Sequence, residues 1–230
     1  MNQFENPQTR TALVVRQNTL IRQVYAWMGA GLAITAFLAL ATVSSPGLLN
    51  AIVGNRMVFY GLMFGEIALV FTLSGAINRL SALTATLLFL GYSALNGMTL
   101  SIIFLVYTAD SIASTFLITS AMFGAMSIYG YVTKRDLSTW GSFLFMGLIG
   151  VVIASLVNIF LHSDGLSWVL SGIGVIVFTG LTAYDTWKIK ALAADGLEGR
   201  KPAILGALTL YLDFINLFLM LLRFVGGRRD

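Results

Sequence analysis

The feature that most constrains this chain is an uncharged apolar run of twenty residues, 24–43, followed by six more runs of the same kind. The six cover about 57–77, 82–106, 111–132, 140–161, 167–187 and 203–225, and short connections join them. A helix rises about 1.5 Å per residue, so each run is long enough to cross about 30 Å of hydrocarbon. Glycines recur inside the runs, Gly61 with Gly65 and Gly172 with Gly174 among them. In water such glycines weaken a helix, whereas between membrane helices they permit close backbone contact. The expected fold class is an all-α integral membrane protein, a seven-transmembrane-helix bundle.

Composition agrees. Only 10% of the 230 residues are charged, against roughly a quarter in soluble domains, and the mean hydropathy is +0.85. Most of the surface must therefore face lipid. The chain divides into a polar N-terminal segment, 1–22, expected to be cytoplasmic, and a membrane domain, 23–230. Ala39-Leu40-Ala41 has the form of a signal-peptide cleavage site, but its apolar run is long and further spans follow, so the run is taken as a retained span.

The net charge of +4 comes from Lys and Arg placed between the apolar runs, a topological pattern rather than a nucleic-acid-binding face. With the N-terminus inside, ten basic residues fall on the inner side: Arg10, Arg16, Arg22, Arg79, Lys134, Arg135, Lys188, Lys190, Arg200 and Lys201. Four fall outside, Arg56, Arg223, Arg228 and Arg229, and the excess sets the orientation. Three of those four cluster at the C-terminal end, in local conflict with the rule. Cysteine is absent and His162 is the lone histidine, which leaves no thiol chemistry and no His-based metal site.

Three acidic residues interrupt the apolar spans: Glu66, Asp185 and Asp213. A charge at mid-bilayer costs at least about 2.5–3.5 kcal/mol on insertion scales, so such residues face a cavity, a partner or a pathway. Asp213 falls near the middle of the last span. Asn216 and Arg223 follow it on the same side of the helix, within about 80° at 100° per residue. A helix with one polar stripe belongs inside a bundle. Asp185 lies near the inner end of the sixth span, and the short loop that follows makes the last two helices antiparallel neighbours. The two aspartates can then meet, share one proton and titrate as a pair. Glu66 and Arg223 carry opposite charges in the outer half and are candidates to bridge the second and seventh helices. The simplest role for Arg79 is a topology anchor.

Three strings resemble a known family in their order: Thr133-Lys134-Arg135-Asp136-Leu137-Ser138, Ala183-Tyr184-Asp185-Thr186, and Leu210-Tyr211-Leu212-Asp213-Phe214-Ile215-Asn216-Leu217-Phe218. The chain resembles the transmembrane Bax inhibitor motif family, also called the Bax inhibitor-1 family, in its bacterial branch. The resemblance implies six helices around a central seventh and a bacterial inner-membrane location. It further implies a calcium leak controlled by a proton-sensitive aspartate pair, which falls on Asp185 and Asp213. A basic residue near the inner end of the second helix joins that pair in the family, and Arg79 is the nearest candidate.

The expected function is thus a pH-sensitive calcium leak channel, with Asp185 and Asp213 as sensor, gate and transient calcium ligands. Glu66, Arg79, Asn216 and Arg223 are its supporting groups. Calcium is the permeant ion and no cofactor is expected. The partners are the bilayer, calcium and protons, with no nucleic acid. The alternative is a non-conducting regulator that binds other membrane proteins, such as a membrane protease. An intramembrane aspartyl protease fits poorly, because Leu210-Tyr211-Leu212 precedes Asp213 where those enzymes carry Gly-x-Gly, and no enzyme is expected.

Overall fold

The computed structural model describes residues 7–229, with side chains from Thr11 onward. Residues 1–6 of the polar segment and the side chain of Arg10 lie outside the described residues. Nine helices are present among those described: α1 (Pro7–Ser44), α2 (Pro46–Ile52), α3 (Arg56–Ala76), α4 (Ala82–Leu100), α5 (Ile103–Val106), α6 (Ala109–Val132), α7 (Ser138–Leu161), α8 (Asp164–Ala194) and α9 (Arg200–Val225). Seven helical stretches are long and apolar enough to cross a membrane, α4 and α5 counting as one. The fold is an all-α membrane bundle.

The short polar links act as helix stops and starts. Asn55 Oδ1 accepts from the backbone N–H of Met57 at 3.1 Å, Ser81 Oγ from Thr84 at 3.0 Å and Thr108 Oγ1 from Ser111 at 3.3 Å. Each satisfies a donor that the first turn of a helix leaves unpaired. Before α7, Asp136 Oδ1 accepts from Ser138 N at 2.8 Å, and that hydrogen bond holds its carboxyl below the usual carboxylate range.

Three boundaries differ from the sequence reading. The polar segment is helical from Pro7 and continuous with the first span, since no Gly or Pro interrupts 8–28. The third run, 82–106, is broken after Leu100, where the Ser101 hydroxyl donates to Met98 O at 2.6 Å and competes with the helical ladder. The sixth helix is 31 residues long, about 46 Å at 1.5 Å per residue, so Lys188 and Lys190 extend it beyond its apolar run.

The chain forms two compact units. The first takes the described residues through Leu105 together with Ile189–Tyr211. Its core includes Val24, Leu73, Ala85, Phe89, Ile204 and Leu208. Here α1 and α4 touch at backbone level, because a Cβ on Gly97 would stand 2.5 Å from Thr35 O.

The second unit takes Val106–Lys188 together with the described residues from Leu212. A Cβ on Gly130 of α6 would stand 2.2 Å from the Ala183 carbonyl of α8, so these helices also touch directly. Phe214 packs edge-on against Phe116 and Phe123. Arg229 N donates to Val106 O at 2.9 Å and Thr108 N to Gly227 O at 3.2 Å, tying the end of α9 to the α5–α6 turn. The C-terminal arginines Arg228 and Arg229 therefore sit at the end where the third and fourth spans join.

Of the seven spans α9 is the most enclosed, with 67% of its most apolar stretch buried, against 6% for α3. This enclosure is what the polar stripe on the last helix requires.

Candidate functional site

In the second unit, α8 carries Asp185 and α9 carries Asp213, and the structure brings the two carboxyls close enough to share a hydrogen bond when one of them holds a proton. The Gly130–Ala183 contact holds α8 against α6 two residues before Asp185. The Phe214 cluster fixes α9 one residue after Asp213. Asp213 is 5% exposed, whereas Asp185 is half-buried. Lys188, one turn on from Asp185, is the cation whose charge it feels, and its Nζ stands 5.7 Å from the centre of the Tyr184 ring.

Two carboxylates have only acceptors, so a hydrogen bond between these side chains requires a proton on one of them. If that proton leaves, two like charges about 4 Å apart repel by about 4 kcal/mol at an effective dielectric of 20. The pair is thus a contact between helices whose strength depends on one proton. Asp213 Oδ2 is buried and has no hydrogen-bond partner, as are Ser127 Oγ of α6 and Thr179 Oγ1 of α8, both in the same unit. A buried carboxyl oxygen without a protein donor is costly unless water or a cation reaches it. Carboxylate and hydroxyl oxygens are the donors a hard cation such as calcium prefers. No cluster of three or more His, Cys, Asp or Glu side chains occurs among the described residues.

The other expected residues lie elsewhere. Asn216 is half-buried and turns back on its own helix, donating to Leu212 O at 2.8 Å. Arg223 is exposed near the end of α9. In the first unit Arg79 is exposed just past the end of α3, beside Asn78, whose carbonyl accepts from Lys201 Nζ at 3.1 Å. Glu66, for which Arg223 was the expected partner, accepts hydrogen bonds from Thr99 Oγ1 at 2.7 Å and Asn96 Nδ2 at 3.2 Å.

A family model described as "Inhibitor of apoptosis-promoting Bax1" matches residues 17–230. The chain belongs to the Bax inhibitor-1 family. It is 57% identical over 216 residues to the inner membrane protein YbhL of Escherichia coli K12, covering 92% of both chains. It is 48% identical to an uncharacterized protein of Borreliella burgdorferi over 94% of this chain and 95% of that one. An uncharacterized membrane protein of Streptococcus pyogenes is 42% identical over 93% and 94% respectively. The aspartates of α8 and α9 form one polar centre, and a second occurs among the described residues.

The second centre includes groups that sequence reasoning missed. Tyr211 OH donates to Asn96 Oδ1 at 2.9 Å and lies 2.5 Å from Thr35 Oγ1, which itself reaches Ser93 O at 2.8 Å. Asn96 in the third run was the available signal, since a buried amide within hydrocarbon needs several partners. Thr35 and Thr99 gave none, because a Thr in a membrane helix can satisfy itself on its own backbone.

Proposed function

We propose that this protein is a proton-regulated cation leak of the bacterial inner membrane, with calcium as the permeant ion and no enzymatic activity. The observation that carries this reading is the facing of the Asp185 and Asp213 carboxyls between α8 and α9, with Asp213 buried and one of its oxygens lacking any protein partner. With one proton the pair clamps α8 to α9. With none, charge repulsion loosens the clamp and turns the same oxygens into cation ligands. Hydrophobic burial alone would not need two acids there.

The ten-to-four excess of basic residues supports a cytoplasmic N-terminus. The C-terminal arginines are then outside, at the end where the third and fourth spans join. Arg79, Glu66, Asn216 and Arg223 support the leak only indirectly.

The test is calcium entry into liposomes holding purified protein, followed as the pH is stepped from acid to mildly alkaline. Wild type should leak with a pH dependence that Asp185→Asn and Asp213→Asn each remove. Folded protein that passes no calcium at any pH sinks the leak and favours the non-conducting regulator of a membrane partner.

A further inference from the structure

The chain Thr35–Tyr211–Asn96–Glu66 in the first unit contains more hydrogen-bond contacts than it has protons to fill. Tyr211 OH lies close to both Asn96 Oδ1 and Thr35 Oγ1, and Thr35 Oγ1 lies close to both Tyr211 OH and Ser93 O. These are three oxygen–oxygen contacts served by two hydroxyl protons, so one contact is unfilled as long as Asn96 presents its oxygen to Tyr211.

Two orders of the chain follow, and the protonation of Glu66 separates them. With Glu66 ionised, Asn96 Nδ2 must point at the carboxylate, as it does at 3.2 Å. Its Oδ1 then faces Tyr211, which donates to it; Thr35 donates to Tyr211, and Ser93 O loses its side-chain donor. With Glu66 protonated, the acid is a donor. Inverting the Asn96 amide lets Oδ1 accept from Glu66 and turns Nδ2 towards Tyr211. Tyr211 then donates to Thr35, Thr35 donates to Ser93 O, and every contact is filled. Thr99 donates to Glu66 Oε1 at 2.7 Å in both orders.

We propose that Glu66 is a second proton-binding site and that its occupancy is transmitted through an inversion of the Asn96 amide to the hydroxyl of Tyr211. The ligand is the proton itself. The site is a built one: Tyr211 is fully buried, its ring packed edge-on against Phe89 and Tyr92, and Asn96 is 7% exposed. The titratable side chains close enough to feel the charge of Glu66 are Tyr92 on α4 and Tyr211 on α9; α1 contributes Thr35, which is neutral. The amide cannot take intermediate positions without breaking bonds on both sides, so the response is two-state. Tyr211 is two residues from Asp213 on α9, about 200° around the helix, so the last helix carries a proton-dependent contact on each of two opposite faces. The inference does not rest on the leak.

The test follows the Tyr211 hydroxyl directly. Full-length protein in lipid nanodiscs, labelled with carbon-13 at the tyrosine ζ position, is titrated while the ring-carbon signal is recorded, with Tyr211→Phe assigning the peak. Infrared difference spectra report the Glu66 carboxyl in the same samples. The expected result is one step in the Tyr211 signal that coincides with protonation of Glu66. It should persist in the Asp185→Asn/Asp213→Asn double variant. Glu66→Gln, whose amide donates as the protonated acid would, should hold Tyr211 in its low-pH state throughout. Asn96→Val keeps the acid and removes the relay, so Glu66 should titrate there without any Tyr211 response. A flat Tyr211 signal while Glu66 titrates in wild type overturns the proposal. So does a Tyr211 step that survives in Glu66→Gln or Asn96→Val, or a Glu66 that does not titrate.

Discussion

The two buried acid centres handle the same physical problem in opposite ways. In the first unit Glu66 has donors on both oxygens, from Thr99 and Asn96, and the amide that serves it is itself held by Tyr211. In the second unit Asp213 faces another acid and keeps one oxygen with no partner at all. A carboxyl with its own donors can remain in place in either protonation state, because the neighbours reorder around it. A carboxyl whose partner is a second carboxyl cannot, because every change of proton number alters the contact itself. The first arrangement stores a protonation state and the second converts it into a force between helices. That contrast is why we propose the leak at Asp185 and Asp213 rather than at Glu66.

Several substitutions sharpen the contrast. The largest effect is expected where the second unit depends on backbone contact: Gly130→Leu forces a side chain into the Ala183 carbonyl and should cost about 3 kcal/mol or more, as overpacking of a tight contact does. Thermal unfolding in detergent would record it, and an unchanged midpoint would mean that α6 and α8 are not pinned there. Next, Glu66→Leu strands the donors of Thr99 and Asn96 and should cost about 1–3 kcal/mol. Asp213→Asn should be neutral or stabilising at neutral pH, because it removes a buried ionisable group whose second oxygen has no donor. If the two acids behaved alike in the same melting assay, the distinction between the centres would be wrong.

Smaller effects lie outside the buried centres. Tyr211→Phe removes one relay hydroxyl and should lower stability by about 0.6–1.7 kcal/mol, the range of polar contacts between membrane helices. Arg16 pairs with Glu198 at 3.4 Å on the exposed surface, and Arg16→Ala should change stability by less than about 1 kcal/mol. Asp136 supplies the smallest signal and a definite sign. Its folded-state carboxyl is held below the usual range by the Ser138 N–H, so its contribution is complete above the ordinary carboxylate value of about 4. It is lost as the pH falls through the lower, folded value. Melting curves of Asp136→Asn against wild type over acid pH should converge there.

Most of the architecture was legible in the sequence because lipid imposes a simple code: length, hydropathy and basic flanks. Seven runs gave seven spanning stretches, and the antiparallel turn between α8 and α9 put Asp185 within reach of Asp213. The break after Leu100 was not legible, since Ser101 reads as an ordinary small residue in an apolar run. The partners of Glu66 were missed for a related reason. Charge patterning pointed to an opposite charge, Arg223, whereas the carboxylate takes neutral donors from Asn96 and Thr99, one turn apart on a single face of α4. Neutral hydrogen-bonding residues leave almost no trace in hydropathy. Tyr211 lies within the string that carries the family resemblance, but a tyrosine in an apolar span reads as an ordinary large side chain.

The central claim is that one proton on the Asp185–Asp213 pair controls the passage of calcium. Its most direct test is calcium flux through the reconstituted protein as pH is stepped, with wild type, Asp185→Asn and Asp213→Asn compared in the same vesicles. Flux should depend on pH in wild type and be independent of it in both variants. A flux whose pH dependence survives both substitutions, or folded wild-type protein that never conducts, would contradict it.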